Sequence, residues 1–217
     1  MDFSAVFSNL DLYWSGFLRT LETSLIALVL SLVLGLLIAA LRVSGIKPLA
    51  FIARWYVEFL RNTPLLVQVF FFYYALPQLN LGFLNFTGFQ AGVLGLSFYT
   101  AAYVAEIVRA GIQSIESGQM EAARSSGLSY TQAMIYIIFP QAIRIVIPPL
   151  GTEYINTVKN SAILAFFAGA DLMYVADSLQ GSTGAIFAVY TTAGIFYLII
   201  TIPISVFVNF LEKKLLV

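Results

Sequence analysis

Two charged side chains sit in stretches of the chain that are otherwise strongly apolar: Arg61 and Glu153. An ionised group at such a place is costly unless a partner neutralises it, so each is a candidate for contact with a polar ligand. Arg61 is followed by Asn62, Thr63 and Pro64. Pro64 lacks an N–H and disfavours helix at Thr63, which predicts a kink or break there. A helix starting after the break would present free N–H groups to an anion, and Arg61 adds a planar cation that matches a carboxylate. Glu153 follows Pro148-Pro149-Leu150-Gly151 and has no basic residue within four positions on either side. Asn156, Asn160 and Ser161 come soon after and add hydrogen-bonding capacity. Together these residues have the chemistry to hold a zwitterion. Each also has a structural alternative. Arg61 could reach the aqueous boundary or pair with Glu58 one turn back, and Glu153 could pair with Arg144 or Lys159, each about two turns away.

Chemistry that makes or breaks bonds has little to work with. The chain has no His and no Cys, which removes thiol catalysis, disulfides and the commonest metal ligands. No two carboxylates fall close in sequence at one depth, so neither a catalytic residue nor a metal set is expected. No Gly-rich loop ends in Gly-Lys-Ser/Thr, so ATP chemistry would have to come from another subunit. A formal net charge of zero gives no reason to expect nucleic acid.

The elements that position these residues are membrane helices. Of 217 residues, 60% are hydrophobic and only 10% charged, with a mean hydropathy of +0.89; a soluble domain carries about 25% charged residues. Residues 23–41, 62–105 and 185–208 are uncharged. The first and last suffice for one pass each, and the middle run holds the larger parts of two, divided by a turn at residues 77–88. Residues 138–158 form a further pass, bent at Pro148-Pro149. The expectation is an all-α polytopic protein of about five transmembrane helices in a single domain, residues 1–217. Residues 70–75, rich in Phe and Tyr, read as a lipid-facing or interfacial belt. The N-terminus lacks the basic start of a cleaved signal peptide. Placing it outside puts Arg42, Lys47, Arg109, Arg124, Lys213 and Lys214 on or near the cytoplasmic side, as the positive-inside rule requires, with the C-terminus cytoplasmic. Glu106 and Arg109, and likewise Arg19 and Glu22, have the spacing of intrahelical ion pairs.

A polar segment at about residues 114–136 interrupts the apolar pattern on the predicted cytoplasmic side. Gly127 suits a helix C-terminus, and Ser129 with Gln132 has the spacing of a capping box for the next helix. The set Glu121, Ala122, Ala123, Gly127, Ile137 and Pro140, with Phe139 where Leu is usual, resembles the EAA loop of ABC-transporter permeases. Residues 61–77, 101–115 and 140–164 also look like the polar amino-acid uptake permeases of the type I importer class. That resemblance implies a bacterial plasma-membrane subunit that dimerises, most simply as a homodimer, and binds two ATPase subunits through Glu121, Ala122, Ala123, Gly127 and Pro140. It further implies an extracytoplasmic amino-acid-binding protein, with ATP and Mg on the partner ATPase and no cofactor in this chain. ATP would close the ATPases, and the knob would pass that movement to helices alternating around a midplane site. The substrate expected is a polar, cationic amino acid such as arginine, lysine or histidine, held by Arg61, Thr63, Glu153, Asn156, Asn160 and Ser161. The rival expectation is an ion-coupled carrier using Glu153 as its coupling site.

Overall fold

The structure is a computed structural model that describes residues 3–215, so the extreme ends of the expected domain lie outside the described residues. A short helix α1 (Ser4–Phe7) precedes α2 (Leu10–Val43). The amphipathic α3 (Lys47–Arg61) and the short α4 (Leu65–Phe70) follow. A π turn (Phe71–Ala75) and a 3₁₀ turn (Leu76–Leu79) continue α4. Next come α5 (Gly88–Gln113), α6 (Ser117–Ser125) and α7 (Tyr130–Ala133), and a π turn (Met134–Ile138) leads into α8 (Phe139–Asn160). A 3₁₀ stretch (Ser161–Phe167), α9 (Leu172–Thr183) and α10 (Ile186–Leu215) complete the order.

Among the described residues, four helical stretches are long and apolar enough to cross a membrane: Leu10–Val43, Gly88–Gln113, Tyr130–Phe167 and Ile186–Leu215. The remaining expected pass is divided. Its first half is the amphipathic α3 and its second half the shorter apolar run Leu65–Leu79. Pro64 accounts for the division, because it sits at φ −61°, ψ 136° and stops the helix outright. Pro148 and Pro149, by contrast, lie within an uninterrupted α8.

α5 is the central helix, packed against α2, α3, α4 and α8. α2 shows why. Its buried residues, Tyr13, Gly16, Thr20, Thr23, Ser24, Ala27, Ser31, Gly35 and Ala39, recur every three or four positions and nearly all are small. Its exposed residues include Leu25, Val29, Val33, Leu36 and Leu37. Lipid is as apolar as Leu, so helices in a bilayer gain most where small residues let backbones approach. At Gly35 the approach is closest. A Cβ there would lie 2.5 Å from Val104 Cγ1 and 3.0 Å from the Ala101 carbonyl oxygen on α5.

Candidate functional site

Glu153 is 8% exposed, in the middle of α8. Among the described residues, no cation lies within ion-pair distance of it, so neither Arg144 nor Lys159 forms the structural pair considered from sequence. Arg61 and Lys159 act on its charge from further away. Asn156, one turn along the same helix face, directs Nδ2 at Glu153 Oε2 at 3.4 Å. Thr157 donates to the Glu153 carbonyl at 2.9 Å and meets Thr100 on α5 at 3.1 Å, which locks this part of α8 to the central helix.

Arg61 ends α3 and is exposed. It forms no ion pair with Glu58; its guanidinium lies over the Tyr103 ring, 5.1 Å from the centroid. The Tyr103 hydroxyl is 3.1 Å from that of Tyr99, one turn earlier on α5, and Tyr99 feels the charges of both Arg61 and Glu153. α3, α5 and α8 thus bring a cation, a pair of phenols and a carboxylate into one electrostatic neighbourhood. Tyr99 and Tyr103 were not singled out from sequence. Their spacing of four in an apolar run is a signal only once α5 is known to face Arg61.

The other sequence candidates are distributed unequally. The Thr63 hydroxyl donates to the Phe59 carbonyl at 2.9 Å and accepts from Gln68 Nε2 at 2.9 Å, inside the break. Asn160 is half-buried at the end of α8. Ser161, fully buried, donates to the Val158 carbonyl at 2.8 Å. Ser161 belongs to a second polar cluster, with Thr20, Asp171 and Tyr197. There Asp171 caps α9 by accepting from the Met173 and Tyr174 N–H groups, and the Tyr197 hydroxyl donates to it at 3.3 Å. Asp171 lies in the connection between α8 and α9, outside the long apolar helices, and burial pushes its carboxyl up to about 6.

Glu106 and Arg109 form the intrahelical pair, and Arg42 from α2 joins them on the same carboxylate. The three close the contact between the C-terminal ends of α2 and α5.

The polar knob has the local structure its sequence implies. Gly127 lies at φ +89° just past α6. Its N–H bonds to the Arg124 carbonyl at 3.1 Å, and the Leu128 N–H to the Ala123 carbonyl at 3.2 Å, the paired bonds of a Schellman cap. Ser129 and Gln132 form a complete capping box at the start of α7. Ala123 is buried, whereas Glu121, Ala122, Gly127 and Pro140 are exposed. A solvated, doubly capped knob is a rigid surface.

A polar neighbourhood among broken and long apolar helices, with a doubly capped polar knob beside them, suits a membrane transport subunit. Residues 14–217 match the model of the binding-protein-dependent transport system inner membrane component, and the chain belongs to that family. It is therefore an ABC-transporter permease subunit, multi-pass in the membrane, with ATP hydrolysis on a separate subunit. Over 99% of its length it is 54% identical to the probable glutamine ABC transporter permease protein GlnM of Bacillus subtilis (strain 168), covering 98% of that protein. It is 34% identical to the arginine transport system permease protein ArtQ of the same organism, over 99% of this chain and 97% of that one. A solved amino acid ABC transporter with histidines superposes on it with a TM-score of 0.92, at 39% identity and 99% coverage of both chains.

Proposed function

We propose that the chain is the permease of an ATP-driven importer for polar amino acids, with the substrate zwitterion held between Arg61 and Glu153. The carboxylate meets the Arg61 guanidinium beside the Tyr99–Tyr103 pair, and the ammonium meets Glu153 and Asn156. The observation that carries this reading is Glu153 itself, a buried carboxylate with no ion-pair partner among the described residues and a cation acting on it from a separate helix. Water is scarce at this depth, so a bound zwitterion and this pair of charges satisfy each other. Thr63, engaged in local hydrogen bonds, positions the backbone at the break, whereas Ser161 belongs to the Asp171 cluster and Asn160 stands at the end of α8.

The side chain of the substrate is the open choice. Glu153 suits a cationic side chain such as that of arginine. The relative at 54% identity is named for glutamine, which favours an amide side chain, with Glu153 occupied by the α-ammonium. The working particle would hold two permease subunits, most simply identical and related by a closed two-fold axis. It would also hold two ATPases docked on the exposed Glu121, Ala122, Gly127 and Pro140, with Ala123 buried behind them, and an extracytoplasmic binding protein opposite, with the N-terminus outside. Reconstituted complex in liposomes tests this directly. ATP-dependent uptake of labelled arginine or glutamine, lost in Arg61→Gln, supports it. Uptake driven by an ion gradient without ATP would instead favour the carrier reading.

A further inference from the structure

The end of α3 raises a problem of backbone bookkeeping. In its last turn the Glu58 carbonyl keeps the Asn62 N–H at 3.1 Å, but those of Phe59 and Leu60 have no backbone donor, because the helix stops and Pro64 brings no N–H. Side chains take over. Asn62 Nδ2 adds a second donor to the Glu58 carbonyl at 2.7 Å, Thr63 Oγ1 donates to the Phe59 carbonyl at 2.9 Å and Gln68 Nε2 to the Leu60 carbonyl at 2.9 Å. The first two are local to the break. Gln68 reaches back from α4, beyond the break, and its second amide hydrogen is shared between the Thr63 carbonyl, 3.2 Å away, and Thr63 Oγ1, 2.9 Å away.

Gln68 is 7% exposed, and its Oε1 is buried without a partner among the described residues. An unmet buried acceptor is unfavourable, and Met or Leu would fill much the same volume without it. Packing therefore does not account for an amide here. What the amide supplies is donors, directed at Leu60 on one side of Arg61 and at Thr63 on the other. The Tyr56 hydroxyl, which donates to the Phe98 carbonyl at 2.9 Å, ties the preceding turn of α3 to α5, so the stretch carrying Arg61 is held from both directions.

We propose that Gln68 is a positioning residue for the substrate site: its amide clamps the break at Leu60 and Thr63 and so holds the Arg61 guanidinium over Tyr103. This rests on the reading in which Arg61 meets the substrate carboxylate. Gln68 itself touches no substrate.

The test is equilibrium binding of labelled L-glutamine and L-arginine to the purified permease–ATPase complex, for wild type, Gln68→Met, Arg61→Gln and the double variant, with melting temperatures alongside. The expected result is a dissociation constant raised about tenfold in Gln68→Met, equivalent to about 1.4 kcal/mol, with a melting temperature near that of wild type. The double variant binds no more weakly than Arg61→Gln alone, because Gln68 acts through Arg61. Unchanged affinity in Gln68→Met, or losses that multiply in the double variant, would overturn the positioning role while leaving the site intact. Unchanged affinity in Arg61→Gln, or no binding to wild type, would overturn the site reading and this inference with it. If Gln68→Met does not reach the membrane folded, Gln68→Glu, of nearly the same shape but with at most one donor, carries the same comparison.

Discussion

The guanidinium of Arg61 stacks over Tyr103 at 5.1 Å from the ring centroid, joining the broken helix to the central one. A cation over an aromatic face is worth about 0.5–2 kcal/mol, more when water is excluded. Tyr103→Leu should therefore weaken amino-acid binding to the purified complex by roughly 2- to 30-fold, on that range. Tyr103→Phe keeps the ring and loses only the contact with the Tyr99 hydroxyl, so its effect should be the smaller. Equal losses in the two variants would assign the role to the phenol pair instead.

Glu153→Gln removes the charge and keeps the shape. Against a cationic side chain it should cost about 1.5–3 kcal/mol, the range for a hydrogen bond to a charged group. If Glu153 instead meets the α-ammonium, arginine and glutamine should lose affinity alike. Competition binding with both amino acids separates the two arrangements, and no loss for either would make Glu153 structural.

Gly127 is exposed, and a Cβ built on it meets nothing within 4 Å, so any effect of substitution comes from its φ of +89°. Gly127→Val should insert normally but lose ATPase association or substrate-stimulated hydrolysis. Gly127→Asn, a residue that tolerates the left-handed region, should retain most of both. Co-purification of the ATPase and stimulated hydrolysis in liposomes check this, and full activity of Gly127→Val would remove the docking assignment.

Asp171 gives the fold a pH dependence of defined sign. Its carboxyl is raised from 3.8 to about 6 by burial, so the folded state holds the proton more tightly than the unfolded one. The stabilisation is fully present below about pH 4 and is lost as pH rises through about 6, up to roughly 3 kcal/mol in all. Asp171→Asn keeps an equally good cap on α9 and has no proton to lose. Melting temperatures of the solubilised protein between pH 4.5 and 7.5 should fall less steeply for Asp171→Asn than for wild type.

Features governed by neighbours in the chain were legible in the sequence. Pro64 announced the break, Gly127 the end of α6, and Ser129 with Gln132 the start of α7, because each acts within one turn of itself. The long apolar runs were equally plain. The α3 half of the divided pass was harder, since an amphipathic helix ending at a break reads in hydropathy like one end of a longer span. Partnerships across the fold were not legible. Arg42 joins Glu106 from a different helix, Tyr103 receives Arg61 from beyond a loop, and Gln68 answers carbonyls eight residues earlier. Each looks in sequence like an isolated polar residue, and only tertiary packing decides what it meets. Pro148-Pro149 shows that a pair of prolines need not end a helix, since α8 runs on through both.

Gly35 has a mechanical consequence. With no room for a methyl group between it and Val104, α2 and α5 mesh too tightly to slide past one another, and they travel as one lever. Only three residues separate the end of α5 at Gln113 from the start of α6 at Ser117. A load taken up on the knob would therefore be borne by a two-helix beam rather than by a single rod.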